Sequence, residues 1–201
     1  MGADRTAEHL GIVRFAELTT VPWRNGGGLT REVVSVPGSG PQGFDWRISI
    51  ADVSQPGPFS AFPGVDRVIT LVEGQRMDLL IDGVVHVLGL HESLSFDGAS
   101  QASCGLPAGP TRDLNVMTRS DRLSAAVAVR DLSETRPIAV SGTQVVVMLS
   151  GSAMVAGADE SQAELNPLDA VCPSGLHVRL VTGSGKVAVV RIEDHHQTRA
   201  Q

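Results

Sequence analysis

Phe44-Asp45-Trp46-Arg47-Ile48-Ser49-Ile50-Ala51-Asp52-Val53 alternates large apolar residues with smaller or polar ones. A period of two is the signature of a strand, placing Phe44, Trp46, Ile48 and Ile50 on one face and Asp45, Arg47, Ser49 and Ala51 on the other. Similar runs flank it: Arg67 to Glu73, Met77 to Ile81, Val84 to Leu88 and Glu92 to Phe96. Asp82-Gly83 between two of them is a strong two-residue hairpin signal. The second half continues with Ala125 to Val129, Thr143 to Leu149, Met154 to Ala156, Asp169 to Val171, His177 to Val181 and Lys186 to Ile192. Gly142, Gly151, Gly157, Gly175, Gly183 and Gly185 punctuate these runs. Helical pattern is confined to about one turn each at Thr6 to Leu10 and Arg119 to Leu123. Short strands at roughly 8–12-residue spacing argue an all-β antiparallel sandwich or barrel, and two β-barrel lobes are favoured over one sandwich.

The chain has 201 residues, enough for one substantial core or two small lobes. With five Phe, two Trp and no Tyr, the core has to be built from Val, Leu, Ile and Ala. A net charge of −6 and the lack of a basic run argue against nucleic-acid binding. No stretch of about 18 apolar residues exists to span a membrane as a helix. Asp4, Arg5, Glu8, Arg14 and Glu17 interrupt any secretory signal core. Cys104 and Cys172 lie 68 positions apart without metal-like spacing and read as reduced structural thiols.

Three segments are rich in chemistry. In Pro22-Trp23-Arg24-Asn25-Gly26-Gly27-Gly28-Leu29-Thr30-Arg31-Glu32, three glycines sit among an aromatic, an amide, cations and a carboxylate. One glycine would suffice for a turn, so the segment reads as part of a recognition site. Gly57-Pro58-Phe59-Ser60-Ala61-Phe62-Pro63-Gly64-Val65-Asp66-Arg67 is stiffened by prolines and suits either a pocket rim or a packed loop. Here a surface ion pair is the default for Asp66 and Arg67. In Thr111 to Arg119, Asp113, Asn115 and Met117 share a face that suits a partly polar cavity. Arg47, flanked by the small Ser49 and Ala51, suits a carboxylate if its face lines a pocket and solvent if it does not.

Several chemistries lack their residues. His86 and His91 are five apart, no HxH occurs, and His195-His196 lie in a polar tail, so no metal site is expected. There is no GxSxG, and neither Cys has a His nearby in sequence. Gly26-Gly27-Gly28 lacks phosphate-loop spacing and no helix pattern follows it.

The three segments, with Phe44 to Val53 and Glu92 to Gly98, resemble the HutD/Ves family in order from about residue 12 to residue 119. The resemblance implies an RmlC-like cupin fold, a bicupin with two β-barrel lobes in one chain. The approximate lobes are residues 10–118 and 119–193, with 194–201 a polar tail. It implies the bacterial cytoplasm, and a non-catalytic binder that moderates histidine utilisation. Many cupins hold a metal through HxH motifs, which this chain lacks, so neither metal nor other cofactor is expected. The suspected ligand is a small carboxylate, urocanate or formylglutamate. Partners would then be that small molecule and, if the protein self-associates, further copies in a homo-oligomer. On this reading Arg47 or Arg67 binds the carboxylate and Asn25 and Asn115 fix its orientation. Glu32 accepts from an imidazole or amide, Trp23 or Phe62 stacks on a planar ring, and Met117 lines the cavity. The alternatives are a metal-free isomerase or hydrolase with Glu32 as base, and an interaction module whose lumen is packed shut.

Overall fold

The computed structural model describes residues 5–172 and 178–195. The sequence expectations for Gly175, His177 and the tail beyond His195 lie outside the described residues. Strands dominate, as the alternation predicts, and the described helices are Arg5–His9 and a 3-10 turn at Phe15–Glu17. Residues 120–122 form a tight turn rather than a helix.

The chain divides into two compact units, residues 19–125 with the segment after 192, and residues up to 18 with 126–192. Residues 10–18, grouped with the N-terminal lobe on sequence, therefore belong with the C-terminal strands. Ile12–Val13 pairs with Ala170–Val171, and Leu10 and Ile12 are buried in the same core as Val146 and Val171. The boundary near residue 125 falls inside the strand Leu123–Leu132.

The first unit holds two antiparallel sheets. One runs Thr20–Pro22, Gly28–Pro37, Phe44–Val53, Thr111–Arg119, Val65–Glu73, Ser93–Asp97. The other runs Gly57–Pro58, Ala102–Gly105, Arg76–Ile81, Val84–Gly89. Asp82 (φ 48°) and Gly83 (φ 85°) make the expected tight hairpin, closing on the Ile81–Val84 pair. Ala51, Val53, Ile69 and Leu71 of the larger sheet pack against Met77, Leu79, Ile81, Ala102 and Cys104 of the smaller. Burying a Leu, Ile or Met side chain contributes about 1.5–3 kcal/mol, so this cluster anchors the two sheets face to face.

Phe44–Val53 is a central strand, paired on one side with Gly28–Pro37 and on the other with Thr111–Arg119. Trp46, Ile48 and Ile50 are each buried. Phe44 departs from the alternation and packs with Val65, Met117 and Phe62. The register slips between the Val36–Trp46 and Pro37–Phe44 pairs, which breaks the period at this strand end.

The second unit is built on two long strands, Gln144–Ala156 and Arg179–Asp194, paired from Gln144–Arg191 to Ala156–Leu180. Here Gly151, Gly183 and Gly185 do not separate strands but lie inside continuous ones. Gly151 has φ +85°, and a Cβ there would stand 2.0 Å from Ser184 O. The glycines permit close approach of two backbones beside a bulge. Val146, Met148, Val155, Leu165, Val181 and Val187 form its core. Cys104 and Cys172 are both free and buried.

An arginine-lined cavity as candidate functional site

Register on the larger sheet places its inward residues in rows. Arg47 and Arg67 both stand directly opposite Met117; Ser49 and Ile69 flank Asn115; Ala51 and Leu71 flank Asp113. Along the three strands the face thus changes from apolar at Ala51 and Leu71 to cationic at Arg47 and Arg67. Beyond the apolar end lies the core; the cationic end opens into a cavity of about 440 Å³.

The glycine segment forms one wall of this cavity. Trp23 N–H donates to Gly28 O (2.9 Å) and Gly26 N–H to Trp23 O (3.0 Å), closing the segment on itself. Gly28 lies so close to the next strand that a Cβ would meet Asp52 O at 2.5 Å and the Trp23 ring at 3.1 Å. Asn25 Oδ1 accepts from Gly27 N–H (3.0 Å), while its Nδ2 donates to Pro58 O (3.3 Å). The asparagine thereby ties the glycine turn to the proline loop. Trp23 Nε1 donates to Thr30 Oγ1 (2.7 Å), and the indole meets Phe59 edge-on with centroids 5.7 Å apart.

That proline loop makes the facing wall and surrounds Arg67. The guanidinium carbon lies 5.4, 5.6 and 5.0 Å from the ring centres of Phe59, Phe62 and Phe96. Arg67 is 4% exposed, donates from one Nη to Ser60 O at 3.4 Å, and has no partner for its Nε. Among the described residues the surface ion pair expected of it does not form, because its strand position turns it into the cavity. Burial lowers its pKa to about 10; Asp113 opposes the shift and Arg47 adds to it. Arg47 Nε lies 2.8 Å from Glu32 Oε2, an ion pair without hydrogen-bond alignment.

Asn115 is buried with its Oδ1 unpartnered. One row deeper, Asp113 is 3% exposed. Burial pushes its carboxyl up to about 7, with Arg67 pulling it down and Asp52 pushing further up. On the opposite face, Asp52 is clasped by Arg31 and Arg112, and Arg112 also pairs with Glu73. Burial opposes ionisation of Asp52, yet these contacts hold its carboxyl below the ordinary value.

Of the residues singled out from sequence, Trp23, Asn25, Arg47, Phe62, Arg67, Asn115 and Met117 all line the one cavity. Glu32 does not line it and reaches it only through Arg47. Sequence reading passed over Arg24, Thr30, Ser49, Phe59 and Ser60 as lining residues. Ser49 and Phe59 were visible as the small neighbour of Arg47 and the anchor of the proline loop; Thr30 carried no separate signal.

A cationic, aromatic-walled cavity with an unpartnered donor and acceptor suits a small anion bearing a planar or amide group. It does not suit a cupin-type metal ion. Three arginines, Arg24, Arg47 and Arg67, line it and supply its charge, and among the described residues no three His, Cys, Asp or Glu side chains gather as a ligand set. No described helix is long and apolar enough to cross a membrane.

The HutD family model matches residues 15–189. A Pseudomonas putida protein described as an uncharacterized 21.2 kDa protein in the hutC 3′ region is 41% identical over 117 residues. That match spans 58% of this chain and 62% of the P. putida protein's own length. Protein Ves from Citrobacter koseri is 42% identical over 134 residues, 65% of this chain and 68% of that protein. Among solved structures, HutD from Pseudomonas fluorescens SBW25 (formate condition) superimposes with a TM-score of 0.76 at 31% identity, covering 92% of this chain and 98% of that one. A cupin 2 conserved barrel domain protein from Leptotrichia buccalis gives 0.61 at 8% identity, covering 91% and 95%, a likeness of fold alone.

Proposed function

Because the chain belongs to the HutD family, we propose that its cavity binds a small carboxylate, urocanate or formylglutamate, and that the protein modulates bacterial histidine utilisation without catalysing a step. In this proposal the fold is a bicupin of two β-barrel lobes acting in the cytoplasm. The observation that carries the reading is Arg67, a guanidinium 4% exposed, facing the cavity with an unpartnered Nε. A buried cation without a bonded anion is costly, and an arriving carboxylate supplies the missing acceptors through the planar fork. The open volume supports a ligand site over an interaction module with a packed lumen.

In this binding mode Arg67 takes the carboxylate, with Arg47 alongside it. Asn115 Oδ1 accepts an amide or imidazole N–H, and the Trp23 and Phe62 rings flank the planar part. The names of the P. putida relative and the P. fluorescens structure support the histidine-utilisation context.

A thermal-shift screen against urocanate, formylglutamate, imidazolepropionate and formate tests the reading. A ligand at 100 times its Kd stabilises the fold by about 2.7 kcal/mol, a readily measured shift. An unchanged Tm with urocanate and formylglutamate removes the proposal, and turnover of either replaces it with a metal-free enzyme.

A further inference from the structure

Arg24 is the cavity-lining cation that a single carboxylate on Arg67 and Arg47 leaves without a role. It stands at the tip of the turn closed by the bond from Gly26 N–H to Trp23 O. Both of its neighbours in the chain are pinned. Trp23 is held by Thr30 and by its edge-on contact with Phe59, and Asn25 by Gly27 N–H and Pro58 O. A fixed stretch of backbone thus carries a long cationic side chain at the exposed edge of the cavity.

Exposure grades along the three lining guanidiniums: Arg67 is buried, the Arg47 side chain is a quarter exposed, and Arg24 is exposed. Positive charge therefore runs from the floor of the cavity to its mouth. None of the described residues that line the cavity is Asp or Glu. Glu32 engages Arg47 from outside the lining, which leaves one deep and one outer guanidinium for a ligand to meet. Asn115 adds direction. It is 8% exposed, lines the cavity with Oδ1 unpartnered, and lies one row from the Arg47–Met117–Arg67 row. A buried acceptor beside a cation matches an N-acylated α-amino acid, whose N–H and carboxylate are borne by one carbon.

We infer that the cavity selects an N-acyl amino dicarboxylate: the α-carboxylate on Arg67 and Arg47, the amide N–H on Asn115, and the side-chain carboxylate on Arg24. This rests on the carboxylate-binding reading and deepens it, because it separates the two ligands named there. Formylglutamate supplies all three groups, whereas urocanate brings a single carboxylate. A cavity of about 440 Å³ is of the size that encloses a whole small molecule rather than one carboxylate. Arg24 is then the residue that distinguishes dianions from monoanions. Being exposed, it acts as a rim charge whose contribution is modest and screened by salt.

Calorimetric titration of N-formylglutamate and N-formylglutamine into the full-length protein tests this, the second ligand keeping the shape and losing the outer charge. The parent is expected to bind formylglutamate about fivefold tighter at low salt, with a smaller preference at high salt. In Arg24→Gln the affinity for formylglutamate is expected to fall to that for formylglutamine. Glutarate, which keeps both carboxylates and lacks the N–H, should bind the parent about tenfold more weakly than formylglutamate. Equal binding of formylglutamate and formylglutamine by the parent overturns the inference and leaves the carboxylate site standing. A preference undiminished in Arg24→Gln overturns the assignment to Arg24, and glutarate binding as tightly as formylglutamate overturns that to Asn115. Absence of binding by any of the three removes the site reading and this inference with it. Should the variant fail to fold, the salt series on the parent decides, and a preference insensitive to salt overturns the contact at the mouth.

Discussion

Arg47 and Arg67 occupy one cross-strand row, each directly opposite Met117 on the strand between them. Strands pair about 4.8 Å apart, so the two backbones stand roughly 10 Å from each other. Long side chains leaning into one cavity from that separation can converge on a single small anion. Met117 keeps them apart without adding charge. Repulsion between them is expressed as the contribution of Arg47 to the lowered pKa of Arg67, and a bound anion relieves it.

Arg67→Met is therefore expected to separate binding from folding. The substitution removes a buried guanidinium and roughly preserves its apolar volume, so the desolvation cost disappears. Lost contact with the three phenylalanine rings offsets part of that gain, at about 0.5–1 kcal/mol each. The Tm of the free protein should stay close to that of the parent or rise, while the shift with formylglutamate disappears. Arg47→Ala should weaken binding roughly 10- to 100-fold, the range for one charge-assisted hydrogen bond. A retained ligand shift in both variants would falsify the two-arginine site.

Glu32 competes with the ligand for Arg47. Its carboxylate is half exposed and stands 2.8 Å from Arg47 Nε. Exposed pairs of this kind contribute about 0.2–1 kcal/mol. Glu32→Gln should thus tighten formylglutamate binding two- to fivefold at low salt, with a smaller gain at high salt, by calorimetry. If Glu32 instead accepts an N–H from the ligand, the same variant weakens urocanate while leaving formate unchanged.

The sheet rows explain why so much of the site was legible. Period-two reading of Phe44–Val53 and Thr111–Arg119 places Arg47 with Ser49, and Asn115 with Met117, whatever the strands pair with. What stays hidden is which strands become neighbours. Arg67 is one residue from Asp66 in sequence and reads as a surface cation; only its pairing with Met117 turns it inward. Residues 10–18 are equally opaque, because the partners of Leu10 and Ile12 lie more than a hundred positions away. Gly151, Gly183 and Gly185 mislead for a related reason. A glycine that lets two strands pass closely is written in the sequence like one that ends a strand.

Asp113 makes the stability of the free protein pH-dependent. Its ordinary value is 3.8 and burial raises it to about 7 in the fold. Between those values the folded chain binds more protons than the unfolded one, so this contribution is complete below about pH 4 and declines as pH rises through 7. From pH 5.5 to 8 the parent should lose about 2 kcal/mol relative to Asp113→Asn, at about 1.4 kcal/mol per pH unit up to the folded value. Urea unfolding of both proteins at the two pH values measures the difference. Parallel pH profiles would show that the carboxyl titrates normally.

Gly28→Ala tests whether the glycine segment is a wall of the site or only a turn. The added methyl would meet Asp52 O at 2.5 Å, and that oxygen belongs to a central strand of the sheet. It would also press on the Trp23 ring at 3.1 Å. The strand cannot yield without disturbing its pairing to Thr111–Arg119, so the indole and the edge of Gly28–Pro37 have to move. Overpacking of this kind costs about 1–3 kcal/mol. Displacing Trp23 loosens its bond to Thr30 and its contact with Phe59, which set the width of the cavity opposite Arg67. The expected outcome is a lowered Tm together with at least tenfold weaker formylglutamate binding. Gly26→Ala is the control: its Cβ meets nothing within 4 Å, and its cost is the backbone strain of φ +72°. That variant should lose stability with affinity unchanged. Equal loss of affinity in both would mean that the segment acts on the site only through its overall stability.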